Sequence, residues 1–217
     1  MRKSFHEELA ELKRDVVQLA KDVREMIGAA LEVVLNEDLS RAGEVMKKDD
    51  EIDTKVLEIE EKGIALIARQ APVAKDLRLL HAILFINTHL ERMGDLAYNI
   101  ARNTKYLAQR HEEEKNLLTI LEDMGSQTLK VVDASIRAFE KKDISLAEEL
   151  PKLDEPIDRW FKDFFKALAK VSSQHHSLDW ASNMVLICRW LERIADHAVD
   201  IGERVTYLVT GEITEPS

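Results

Sequence analysis

The sequence predicts an all-α protein made of two tandem three-helix bundles, six principal helices in all. Three observations carry this. Glycine and proline are scarce, 7 and 4 in 217 residues, while 33 % of residues are charged and 45 % hydrophobic, a composition suited to long amphipathic helices. Apolar residues recur at alternating steps of four and three, as in Leu79, Ile83, Ile86, Leu90, Met93, Ala97 and Ile100, which makes one apolar seam on a helix. The run from Leu90 to Ala101 also returns as Leu191 to Gly202 at a constant offset of 101, Glu91 onto Glu192, the mark of an internal duplication.

The first predicted helix covers about Ser4 to Leu35, on the seam Phe5, Leu9, Leu12, Val16, Leu19, Val23, Met26, Ala30 and Val33. A second apolar line (Val17, Ala20, Ile27, Leu31, Val34) makes it a bundle helix rather than half of a two-stranded coiled coil. Asn36 and Glu37 break the pattern, and Asp38 restarts it as an N-cap. A short helical piece from Leu39 to Lys48 is expected next. The acids Asp49 to Asp53 then read as the start of a separate second helix, where the helix dipole favours negative charge. Pro72 ends it. The third helix, from about Val73 to Gln109, is apolar nearly all round in its first half (Leu77, Leu79, Leu80, Ile83, Leu84, Phe85, Ile86), which calls for burial on both sides, at an inter-bundle surface or a dimer surface.

A charged joint from Arg110 to Lys115 separates the repeats, placed at residues 1–110 and 111–217. The plan then recurs. Leu117, Leu121, Met124, Thr128, Val131, Ser135 and Ala138 repeat the first seam at an offset of 105, and Asp143 repeats Asp38. Asp154 and Asp158 repeat Asp49 and Asp53, and Pro151 and Pro156 reinforce the expected break between the short piece and the longer helix. The offset falls to 101 because about one helical turn is missing near Ser172 to Ser177. The sixth helix stops near Thr210 and Gly211, and Ile213 to Ser217 read as a frayed tail.

Composition excludes several classes. The net charge of −10 argues against a nucleic-acid binder and suits cations or basic protein partners. No apolar run approaches the roughly 18 residues of a membrane span. The N-terminus has no signal-peptide pattern, and the single cysteine, Cys188, allows no internal disulfide, so the cytoplasm is the expected compartment. None of the seven histidines has a glutamate three residues before it, so the Glu-x-x-His pair of di-metal carboxylate enzymes is missing. No phosphate-binding glycine loop or G-x-S-x-G motif is present, and the chain reads as no enzyme. His81, His89 and His197 read as packing or surface residues, and Cys188 as core filler.

The chemistry lies in the duplicated run. Glu91, Asp95 and Asn99 stand at i, i+4, i+8, and so do Glu192, Asp196 and Asp200, so each trio lines one stripe of a helix, roughly opposite its apolar seam. All-oxygen stripes suit hard cations such as Mg²⁺, Mn²⁺ or iron better than zinc. Arg92 and Arg193, each three residues before an aspartate, offer the carboxylates a purely structural use.

The runs LERMGDLAYNIARN and LERIADHAVDIGER resemble the paired signature of the PhoU family of phosphate-uptake regulators. QAPVAKDLR, from Gln70 to Arg78, is similar to the family's entry to its third helix, and YLVTGE to its C-terminal end. The likeness spans essentially the whole chain. Three departures stand in the second repeat: Asp200 stands where an amide is commoner, Ala195 replaces the usual glycine, and His176 to Asp179 match the entry motif poorly. The resemblance implies two three-helix bundles side by side. It also implies binding of divalent or iron-type metal ions (iron, Mn, Mg or Zn) at Glu91, Asp95, Glu192 and Asp196, with Asn99 and Asp200 continuing each stripe. It further implies negative control of the phosphate-starvation response, with the ATPase subunit of a phosphate ABC transporter and a sensor histidine kinase as partners, and a homodimer. The alternative is a metal-binding or purely structural helical adaptor with no phosphate role.

Overall fold

Amphipathic periods of this length have to bury their seams against one another, and the chain does so with six α-helices. The structure is a computed structural model that describes residues 2–107, 115–170 and 178–212. The helices are α1 (Arg2–Asn36), α2 (Leu39–Gln70), α3 (Ala74–Asn103), α4 (Lys115–Lys141), α5 (Ile144–Leu168) and α6 (Leu178–Thr210), with a 3₁₀ turn at Thr104–Tyr106 and no strand among the described residues. The joint at the 110/111 repeat boundary, the corner near Ser172 to Ser177 and the tail from Ile213 all lie wholly or largely outside the described residues. No helix among the described residues is long and apolar enough to cross a membrane.

Every predicted seam residue of α1 and α4 is buried. So are those of α3, apart from half-buried Leu79, and the residues Met184, Ile187, Leu191, Ile194, Ala198 and Ile201 that continue the same rhythm in α6. The second apolar line of α1 is buried as well, and its use is specific: Leu31 lies against Gly125 of α4, where an added Cβ would fall 2.3 Å from the leucine. α1 and α4 run antiparallel, tied by Arg24 to Asp133 (3.0 and 3.2 Å) and by Lys13 to the Glu140 carbonyl (2.7 Å). α3 and α6 form the second contact between repeats, also antiparallel, since His81 meets Arg204 while His89 meets His197. The apolar first half of α3 thus contributes to an inter-bundle surface within one chain, although its burial is incomplete: Leu77 is 41 % exposed and Leu79, Leu84 and Phe85 are half-buried.

The duplication reaches backbone detail. Glu37 and Lys142, 105 residues apart, both adopt left-handed φ, 53° and 54°. At each, the next N–H returns to the carbonyl five residues back (Asp38 to Val33, 3.1 Å; Asp143 to Ala138, 2.9 Å), closing the helix with a Schellman motif that lacks its usual glycine. The same aspartates then cap the following helix: Asp38 Oδ1 accepts from the N–H groups of Ser40 and Arg41, and Asp143 Oδ1 from that of Leu146.

The expected break near Lys48 is absent. α2 runs unbroken from Leu39 to Gln70, and α5 passes through both Pro151 and Pro156. The reason is that Asp49 occupies a seam position: Ala42, Val45, Asp49, Ile52, Val56 and Ile59 follow the three-four rhythm, with a carboxylate where an apolar side chain is expected. Asp154 does the same in α5, between Leu150 and Ile157. A proline deprives the carbonyl four residues back of its helical donor. For Pro151 that carbonyl is Ala147's, which faces Gly202 of α6, 3.2 Å from where a Cβ would stand.

Candidate metal centre

Each repeat assembles one acidic cluster from two helices. In the first, Glu91 and Asp95 on α3 meet Asp49 and Asp53 on α2. The chains come close enough that a Cβ on Gly94 would stand 3.4 Å from Asp49 Oδ1. In the second, Glu192 and Asp196 on α6 meet Asp154 and Asp158 on α5, and the fully buried Ala195 stands at the position of Gly94. The sequence read Asp49 and Asp154 as helix-start acids; their inward seam positions aim them at the stripes instead.

Burial dominates the electrostatics. It pushes the Asp49 carboxyl up to about 6, helped by repulsion from Asp53 and Asp95. It pushes Asp154 up to about 7, helped by Asp158, Asp196 and Glu192. Glu91, Asp53, Glu192 and Asp196 are raised as well, each by burial first. Arginines offset part of the charge. Arg92 lies 3.4 Å from Glu91 and 3.7 Å from Asp95, as the three-residue spacing predicts. In the second repeat the pairing that forms is Arg189 with Glu192 rather than Arg193 with Asp196.

One atom in each cluster tests whether a cation fits. Asp49 Oδ1 and its repeat mate Asp154 Oδ1 are buried with no hydrogen-bonding partner. A buried carboxylate oxygen without a partner is costly, and a bound cation is one way to satisfy it. The carboxylate donor set fits Mg²⁺, Mn²⁺ or iron.

The ends of the two stripes part company. Asn99 is half-buried and adds no charge to the first cluster. Asp200 reaches toward α3: its Oδ2 lies 3.4 Å from His89 Nδ1 and 3.8 Å from His197 Nδ1, and the two imidazole nitrogens are 3.2 Å apart. Sequence reasoning took both histidines for packing or surface residues. The i, i+3 pairing of His197 with Asp200 was visible in the sequence; the arrival of His89 from 108 residues away was not. Cys188 is fully buried with its thiol pushed far up by desolvation, as expected of core filler. A groove of about 420 Å³ between α1 and α2, lined by Glu8, Glu58, Lys62 and Arg69 among others, includes none of these acidic-cluster residues.

This geometry defines a class: a duplicated helical-bundle protein with one two-helix carboxylate cluster per repeat. The chain belongs to the PhoU family, whose domain model matches it twice, over residues 16–104 and 121–205. It is 39 % identical over 214 residues to the phosphate-specific transport system accessory protein PhoU homolog 1 of Thermotoga maritima, covering 96 % of this chain and 90 % of that one. It is 32 % identical to the Clostridium acetobutylicum homolog, covering 97 % and 96 %. Among solved structures it resembles the phosphate transport system regulatory protein PhoU of Streptococcus pneumoniae (TM-score 0.88, 30 % identity, 98 % of this chain and 100 % of that one). It also resembles PhoU of Pseudomonas aeruginosa (TM-score 0.89, 30 % identity, 96 % and 100 %). The Thermotoga and Clostridium relatives bear the name of accessory proteins and the Streptococcus structure that of a regulatory protein, not of enzymes.

Proposed function

We propose that this protein is a cytoplasmic regulator of phosphate uptake and a negative regulator of phosphate-starvation signalling, and that each acidic cluster holds a metal ion. In this reading it links the ATPase subunit of a phosphate ABC transporter to a sensor histidine kinase. Support for the phosphate role comes from family membership and from relatives named as accessory to phosphate-specific transport. The observation that carries the metal reading is the repeated orphan oxygen of Asp49 and Asp154, each set against a Glu-x-x-x-Asp stripe.

Asp49 with Glu91 and Asp95, and Asp154 with Glu192 and Asp196, would hold the ions; Asp53 and Asp158 add charge at the edge. A bound cation supplies positive charge that ties α2 to α3 and α5 to α6. The protein's own part is to hold the carboxylates half-buried and partly protonated until the ion displaces those protons.

Deleting the gene should leave phosphate-starvation genes switched on when phosphate is plentiful, and the wild-type copy should silence them. Reporter expression unchanged by the deletion would remove the phosphate role. Full silencing by an Asp49→Asn/Asp154→Asn copy that no longer binds metal would separate signalling from the metal sites.

A further inference from the structure

We propose that His89, His197 and Asp200 form an additional metal site, distinct in ligand chemistry from the carboxylate clusters, that takes one zinc-type ion between the two repeats. The three donor atoms are separated by 3.2, 3.4 and 3.8 Å. Donors bound tetrahedrally at the usual zinc distances of about 2.0–2.1 Å stand about 3.3–3.4 Å apart, and the circle through these three atoms has a radius of about 2.0 Å. An ion slightly out of their plane would therefore reach all three at ordinary bond lengths without moving α3 or α6.

Hydrogen bonds alone serve this triangle poorly. A proton on one imidazole Nδ1 can point at one acceptor only, and protons on both would face each other across 3.2 Å. An ion takes all three lone pairs together. Both histidine side chains are only 16 % exposed, while Asp200 is 45 % exposed, so the open side of the site lies by the carboxylate, where a water can complete the shell. Burial pushes His89 below its usual range, which disfavours the charged form that cannot bind a metal. The Phe85 ring stacks on His89 at 4.2 Å and fixes its plane. Arg204, whose guanidinium carbon lies 3.9 Å from the Phe85 ring centroid, opposes a cation, and Asp200 offsets that charge. His197 Nε2 is buried without a partner, so the site lacks one outer-shell brace and its affinity is correspondingly modest.

The duplication does not produce a second such site. At the offset of 101, His89, His197 and Asp200 correspond to Trp190, Leu96 and Asn99, which offer at most one oxygen donor. The expected stoichiometry is therefore one nitrogen-ligated ion per chain, against one carboxylate cluster per repeat, and the inference does not depend on those clusters being filled.

The test is a Co²⁺ titration of the chelator-stripped full chain, read by visible absorption. The expected result is the intense absorption of four-coordinate Co²⁺, saturating at one ion per chain and displaced by Zn²⁺. The band should vanish in His89→Gln and in His197→Gln, its affinity should fall at least about tenfold in Asp200→Asn, and it should survive in Asp49→Asn/Asp154→Asn. The wild-type spectrum decides even if a variant fails to fold: only the faint absorption of six-coordinate Co²⁺ would overturn the proposal. So would an intense band retained by folded His89→Gln/His197→Gln, or one lost only in the Asp49→Asn/Asp154→Asn variant.

Discussion

Asp49 and Asp154 are the residues on which most depends, because each puts a carboxylate at a seam position. Their raised values have a definite consequence for stability. A carboxyl raised to about 6 or 7 in the fold, against 3.8 as its ordinary value, binds more protons folded than unfolded between those limits. The contribution of these two carboxyls to the stability of the metal-free protein therefore falls as pH rises from about 4 to about 7, the reverse of a salt-bridged aspartate; His89, which burial holds below its usual range, acts in the opposite sense, one group against two. Urea denaturation of chelator-stripped protein at pH 5 and pH 8 should show the higher midpoint at pH 5. Asp154→Asn should remove much of that slope and stabilise the metal-free protein at pH 8 by roughly 1–3 kcal/mol, since an amide needs no charge solvated. Added Mn²⁺ should raise the wild-type midpoint at pH 8, and should raise it less in the variant, which keeps only the first cluster intact. A pH slope left unchanged by Asp154→Asn would show that this carboxyl is not desolvated.

At the scale of the helix, the chain depends on seams and on sharp ends. Leu191 sits at the centre of the α6 seam, fully buried, and its carbonyl accepts from the buried Thr128 hydroxyl at 3.4 Å. Leu191→Ala should cost roughly 2–5 kcal/mol in chemical denaturation; a change well under ~1 kcal/mol would mean the seam does not carry the fold. Lys142 holds a left-handed conformation that costs an L-residue about 1–2 kcal/mol, so Lys142→Gly should be neutral to about 1 kcal/mol stabilising, net of glycine's greater chain entropy. A loss of stability there would mean that the lysine side chain matters more than the turn. The seams were legible in the sequence because the three-four rhythm is written in Leu, Ile, Val and Met. Asp49 was not, because a buried carboxylate within the rhythm looks like a break followed by a capped helix start. Pro151 and Pro156 strengthened that misreading, although α5 accommodates both, with the Ala147 carbonyl turned toward Gly202.

Across the whole molecule, duplication gives two equivalent carboxylate clusters, while the antiparallel pairing of α3 with α6 joins the repeats and brings together residues that have no repeat relationship. The stripes Glu91–Asp95 and Glu192–Asp196 were legible because both members of each pair lie on one helix. Their partners on α2 and α5, and the meeting of His89 with His197, depend on how helices pack, which no local spacing records. Asp200 shows the difference: by spacing it extends the second stripe, while in the fold it lies against the two histidines. The central claim, that the acidic clusters are cation sites built twice, is tested most directly by crystals of the chelator-stripped protein grown with Mn²⁺ and examined by anomalous scattering. The account predicts a peak among Asp49, Glu91 and Asp95 and an equivalent peak among Asp154, Glu192 and Asp196; maps without anomalous density at either cluster would contradict it.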